Sequence, residues 1–427
     1  MIERFNIHKS MPFNLKYTST DPAVLDFCES IWDGLTIDKT KKVHLKKECL
    51  TNAIINLKLS WTNSKYVRYS RRKNYYGDLP RRYKKDFFTY DNMVSIMDGL
   101  ESQGLVISKK GFINLNDQSK LQTAVRPVND LSKIKSHMIQ DTEPPELIVL
   151  KDRTTGAKIN YNDTDETRAM RLEINQYNML RQDTKISLSV SDRSILNLHS
   201  EYFNQTASQE ITESTNEIEL RSPFVYRVFN TNFSNGGRYY SGVESNAPKE
   251  VRSKFLINGN PTVEKDYGCL HIGMLYNLEG KKLQGDAYQK VSNDDPGLRS
   301  LFKLIGLVSI NSKNLKTCLQ ALRNEIRDSN LSQYFESLNN KNLLHYYDQW
   351  VKAHPAISKY LNSDVGIKLQ FRDSKLAEQI IRHFTLKDVP VLVVHDSFIV
   401  EKKYEAELED VMMKVYKEEF KFKPVVN

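Results

Sequence analysis

Four apolar residues, a polar tip and three more apolar residues make up Val391-Leu-Val-Val-His395-Asp396-Ser397-Phe-Ile-Val400. Runs this short and β-branched suit buried strands, so the stretch predicts a hairpin with His395 and Asp396 on its turn. Far upstream, Phe255-Leu-Ile-Asn-Gly259 predicts a strand and a turn. Thr262-Val-Glu-Lys-Asp266-Tyr-Gly-Cys-Leu270-His271-Ile-Gly-Met274 then predicts a strand ending at Asp266, followed by an apolar helix. Between these segments, residues 298–311 have helical spacing. Leu301, Ile305 and Val308 supply the packed side, while Arg299, Lys303, Leu307 and Asn311 share the other. Pro296 and Gly297 mark the start of this helix, with Asp294 or Asp295 as its cap.

The first 85 residues read as helical with polar interruptions, and residues 43–59 carry the clearest amphipathic pattern. Met93, Ile96, Met97 and Leu100 define another helical face, with Thr89 or Asp91 as cap and Gly104 as stop. Residues 105–115 predict a hairpin turning at Lys109-Lys110-Gly111. A helix followed by a basic-tipped hairpin resembles a winged helix-turn-helix, in which both parts touch the nucleic-acid backbone. The same arrangement also occurs as plain packing and in protein-protein modules. Residues 147–150 predict a strand and 163–183 a charged helix, with Glu143-Pro-Pro-Glu146 as a turn or linker. The domain boundary is placed within 130–150, which divides the chain into 1–140 and 141–427.

Composition changes this picture little. The 427 residues have room for two or three cores, and a formal charge of +9 points mildly to a polyanion partner. Four scattered cysteines indicate neither a zinc site nor a disulfide framework. Without a signal-peptide core or an apolar run near about 18 residues, the expectation is a soluble cytoplasmic protein with no membrane association. In the segment Lys65 to Lys85, cations alternate with tyrosines. That pattern suits phosphates and unstacked bases, or equally a solvated loop with its rings packed beneath.

The chemistry lies in the spacing. A buried carboxylate needs a cation, a metal or water. An Asp at a strand end facing another on a hairpin tip is what two-metal phosphoryl transfer requires. Arg299 and Lys303, one helical turn apart, can grip a triphosphate.

In that order, Asp266-Tyr-Gly-Cys-Leu-His, Arg299-x3-Lys303 and His395-Asp396-Ser397 resemble motifs A, B and C of the family A DNA polymerases and the related single-subunit phage-type RNA polymerases. Gly236-Gly237-Arg238 is similar to a primer-template segment of that superfamily, and Gln370 to its minor-groove glutamine. The resemblance spans about residues 220–405. It implies an α+β fold: a polymerase palm with a small antiparallel sheet and helical fingers, plus a mostly helical N-terminal region with a winged-helix-like segment at about 88–117.

The resemblance also implies site roles. Asp266, Asp396 and the Tyr267 carbonyl would hold two Mg2+ ions, or Mn2+. Arg299 and Lys303 would bind the β and γ phosphates, with Lys303 able to protonate pyrophosphate. Leu307 and Asn311 would flank the incoming base, His271 the sugar and His395 the primer end. Arg238 and Gln370 would contact primer-template DNA. The chain departs from the family at His271, Leu307 and Asn311, and Ser397 matches the RNA enzymes. The short intervals between motifs and Asp286-Ala-Tyr288 favour the DNA enzymes and leave no room for a proofreading exonuclease of usual size. The expectation is a DNA polymerase of a phage, plasmid or mobile element that uses nucleoside triphosphates. The alternatives are a small RNA polymerase or primase, or a palm-like module that binds nucleic acid without catalysis. A His-Asp-Ser hydrolase is disfavoured because no Gly-x-Ser-x-Gly elbow is present. Oligomeric state has no signal in the sequence.

Overall fold

A computed structural model describes residues 6–111, 122–128, 131, 133–190, 193–209, 211–292, 294–327, 329–335 and 337–427. The architecture is mixed: helices interleaved with short strands in small sheets. Two compact units emerge, the first comprising Met1–Val149, Gly156–Tyr226 and Tyr240–Thr262. The second comprises Leu150–Thr155, Arg227–Tyr239 and Val263–Asn427. Where the sequence places a boundary near 140, the first unit by packing runs on to Val149 and takes in two later segments.

In the first unit, strands β1 (Asn6–Pro12), β2 (Lys65–Tyr69), β3 (Val106–Lys109) and β4 (Thr123–Pro127) form a sheet in the order β1-β2-β4-β3. Around it pack α1 (Pro22–Gly34), α2 (Val43–Thr62) and α3 (Tyr90–Ser102). The expected amphipathic helix is α2, and here the structure differs. Between Cys49 and Ser60 it is buried nearly all round, because α1, α3 and the sheet cover it from several sides. Its polar residues are answered internally: Asn52 donates to the Tyr17 carbonyl at 2.7 Å, and Asn56 to that of Asn14 at 2.9 Å. The helical expectation for residues 1–85 also gives way at β1 and β2.

The connector tyrosines are mostly core. Tyr66, Tyr69, Tyr76 and Tyr83 are buried, while Tyr75 is exposed. An interior strand buries both faces, so alternation along β2 leaves no row of rings for stacking on bases. Thr89 caps α3 by accepting from the Asn92 N–H. Among the described residues β3 pairs with β4, in the register Lys109↔Ala124. The expected returning strand at 112–115 lies outside the described residues.

Helix α4 (Asp165–Gln182) carries Arg181, whose guanidinium is fully buried and bonded in a fork to Glu244 at 3.1 Å on each arm. The strand expected at Phe255 forms over Phe255–Ile257 and pairs antiparallel with Ile186–Ser189.

Strands β5 (Ile148–Lys151), β6 (Tyr226–Asn230) and β7 (Asn232–Tyr240) form a sheet in the order β7-β6-β5, and the second unit holds most of β6 and β7. Strands β8 (Asn260–Asp266), β9 (Leu392–Val394) and β10 (Ser397–Glu401) run in the order β9-β10-β8. Six helices pack around them: α5 (Leu270–Leu278), α6 (Pro296–Asn311), α7 (Leu315–Arg327), α8 (Asn340–Ala353), α9 (Gly366–Thr385) and α10 (Glu405–Phe420). Fully buried Trp350 on α8 fixes α6. A Cβ at Gly306 would lie 2.9 Å from its indole, so only glycine lets the two helices close this far. That contact turns the opposite face of α6 outward.

Candidate nucleotide-binding and catalytic site

Strand β8 ends at Asp266 and α5 begins four residues later. The register Val394↔Ser397 leaves His395 and Asp396 as a two-residue turn, with His395 at φ 59°. The Tyr267 N–H donates to the Asp396 carbonyl at 3.3 Å, so the two acid-bearing segments are joined through their backbones. The Tyr267 ring is buried and its hydroxyl donates to Met412, which leaves only its backbone for a ligand. The bridge between Tyr267 and Val426 runs from Gly268 to Val425 and from Asn427 to Asp266. The Tyr267 carbonyl takes no part in it.

These segments wall a cavity of about 640 Å3, within the usual size range of small-ligand sites. Its lining brings together Arg238, Asp266, Tyr267, His271, Arg299, Lys303, Leu307, Gln370, His395 and Asp396. Asn311, expected to extend the same wall, does not line it; its amide donates back to the Leu307 carbonyl at 2.8 Å. Five cations (Arg238, Lys282, Arg299, Lys303, Lys423) face three carboxylates (Asp266, Asp286, Asp396) across the cavity. The surplus of positive charge suits a polyanionic ligand.

Each wall has a local cause. Asp295 caps α6 by accepting from Gly297 and Leu298, and Pro296 opens the first turn. Arg299 then projects beside Asp286, with Nε and Nη2 at 2.7 and 2.6 Å from Oδ2. Burial alone would raise the Asp286 carboxyl, but the Tyr288 N–H and Arg299 outweigh it and hold it below the usual carboxylate range. One turn further on, Lys303 is exposed and makes no ion pair among the described residues. Leu307, 52% exposed, presents an apolar surface on the cavity wall.

Arg238 follows Gly236 and Gly237, both at positive φ. A Cβ at Gly237 would come within 2.8 Å of Phe229 and of Ser374. The Arg238 guanidinium is held by buried Asp373 on α9, with Nε at 3.1 and 3.2 Å from the two carboxylate oxygens and Nη2 also bonded. The role expected of Arg238, a contact to primer-template, is therefore qualified: in this structure a protein carboxylate engages it. His271 meets the same carboxylate at 2.8 Å. Burial raises the Asp396 carboxyl. Desolvation and the nearby Arg238 lower the His395 imidazole.

No family model matches this chain. No curated protein is significantly similar to it either. Its chemistry must be read from the cavity itself.

Among the described residues, no group of three or more His, Cys, Asp or Glu side chains is arranged to hold a metal ion. The hard oxygens of Asp266 and Asp396 nevertheless fit Mg2+. That ion keeps several waters and binds through one or two carboxylates plus substrate phosphates. Asp373 carries no sequence signal as a site residue, since it is a single acid whose partners are known only after folding, and Asp286 is marked in the sequence only by the Asp286-Ala-Tyr288 segment, without its partner Arg299.

Proposed function

We propose that this chain is a template-dependent nucleotidyltransferase that extends DNA by two-metal phosphoryl transfer. Support comes chiefly from one observation: ten side chains or carbonyls singled out by motif order line one cavity, between Arg238 and Asp396. In this reading β9-β10-β8 acts as the palm and α6 as part of the fingers. The segment at 88–117 is a winged-helix-like contact to nucleic acid.

Asp266 and Asp396, with the Tyr267 carbonyl, are the groups that would hold two Mg2+ ions. Such ions supply Lewis-acid activation of the attacking hydroxyl and neutralise the leaving pyrophosphate. The chain's own residues do the rest by position and charge. Lys303 meets the triphosphate as a mobile point charge and can deliver a proton to the pyrophosphate oxygen. Arg299 offers a planar fork held in place by Asp286. Leu307 gives the base an apolar neighbour, though with less contact than an aromatic ring. Gln370 and Arg238, both on the cavity wall, are the groups that would contact a primer-template.

Ser397 favours a second reading, a small RNA polymerase or primase. Incorporation assays with dNTPs and NTPs on primed and unprimed templates separate the two. Asp266→Asn and Asp396→Asn are each expected to lower nucleotide transfer by at least about 1,000-fold while DNA binding persists or strengthens. Transfer by either variant at the wild-type rate would remove the mechanism.

A further inference from the structure

We propose that Asp373 is a positioning residue. It fixes the tautomer of His271, so that Nδ1 is presented as a hydrogen-bond acceptor for a sugar hydroxyl of the nucleotide. The inference rests on the nucleotidyltransferase reading and adds to it a residue that none of the motifs contains.

Asp373 lies on α9, with its side chain 1% exposed, and it meets two residues of the cavity wall. A carboxylate only accepts hydrogen bonds. The nitrogen of His271 that faces it at 2.8 Å, Nε2, must therefore carry the hydrogen. Arg238 Nη2 stands 3.5 Å from the same Nε2. Both atoms are donors there and the distance is long, so that contact is not a bond. Arg238 instead satisfies the other faces of the carboxylate and balances its charge. His271 needs no proton on Nδ1 to complete the cluster.

In the neutral ring with its hydrogen on Nε2, Nδ1 is an acceptor that meets no partner among the described residues. Among the described residues, the two contacts of the His271 ring both involve Nε2. A phosphate oxygen or a base carbonyl cannot serve Nδ1, because each only accepts. A sugar hydroxyl can. Base amino groups donate as well, but in the reading above the base lies against Leu307 and the cations take the phosphates, which leaves the sugar hydroxyl to His271.

The test compares dNTP, NTP and 2′,3′-dideoxy-NTP incorporation by the full chain on primed DNA. The same measurements are made on Asp373→Asn and His271→Phe. The wild type should favour nucleotides bearing the recognised hydroxyl by about three- to tenfold, the value of one neutral hydrogen bond. A gap between dNTP and dideoxy-NTP assigns the 3′-hydroxyl, and one between NTP and dNTP the 2′-hydroxyl. Both variants should bring that ratio towards one. Equal slowing of all three substrates by Asp373→Asn, with the ratio kept, would reduce Asp373 to a structural role and overturn the proposal. Nitrogen-15 NMR of the histidine-labelled wild-type chain gives a second readout independent of turnover and of how well the variants fold. The His271 signal should show Nε2–H, and Nδ1–H overturns the proposal. If the wild type incorporates nothing, the function assigned above fails, while the tautomer still decides the part played by Asp373.

Discussion

Arg299 and Lys303 occupy one face of α6 but have different surroundings. Arg299 is already engaged by Asp286, whereas Lys303 stands in the cavity without an ion pair among the described residues. A triphosphate would thus meet a preset fork and a free charge. Lys303→Ala is expected to lower kcat/KM for nucleotide incorporation by about 10- to 100-fold, the value of one charge-assisted hydrogen bond. Single-turnover kinetics would check this, and a rate equal to wild type would deny Lys303 its role. At this scale the sequence reveals the residues whose spacing is local. Arg299 and Lys303 are one turn apart, and Asp396 announces itself by its polar tip. Asp373 does not, because its partner Arg238 is 135 positions away and a lone Asp in a helix resembles any solvated residue.

Elements were legible where a pattern had one dominant period. The strand ending at Asp266, the hairpin at His395-Asp396 and α6 with its Asp295 cap all form as their periodicity predicts. Pattern misleads at α2, whose polar residues bond inward, and at β2, whose tyrosines are core; neighbours, not propensity, decide both. Two contacts between elements are measurable. Removing one partner of the buried Arg181–Glu244 pair strands a charge, so Glu244→Ala should cost about 3–5 kcal/mol of unfolding free energy in urea titrations. His354, at the end of α8, accepts from the Tyr276 hydroxyl and donates to the Ala287 carbonyl, both at 3.0 Å. Burial lowers its imidazole from 6.5 to about 4. The folded state therefore resists protonation that the unfolded chain accepts. The contribution is complete above pH 6.5 and is lost as pH falls towards 4, to a limit of about 3 kcal/mol. Urea midpoints measured across that window should fall more steeply for the wild type than for His354→Asn.

For the whole molecule, the +9 formal charge acts through the solvent rather than through any single contact. If nucleic acid is the ligand, log affinity for duplex DNA should fall linearly with log salt, by about 0.9 for each phosphate neutralised. Lys423→Ala and Lys282→Ala, both on the cavity wall, should each reduce that slope if they meet phosphate. Fluorescence anisotropy at several salt concentrations measures it, and a flat dependence would exclude an electrostatic grip on DNA. Among the described residues no helix is long and apolar enough to cross a membrane. The division into two units was not visible as a composition shift, because the first unit is assembled from three separated segments.

The bond from the Tyr267 N–H to the Asp396 carbonyl makes one amide a gauge of the whole candidate site. Its deuterium uptake should be slow while the two acid-bearing strands stay together and fast once they part. That single peptide signal reports whether a substituted protein has kept its centre assembled before any substrate is added.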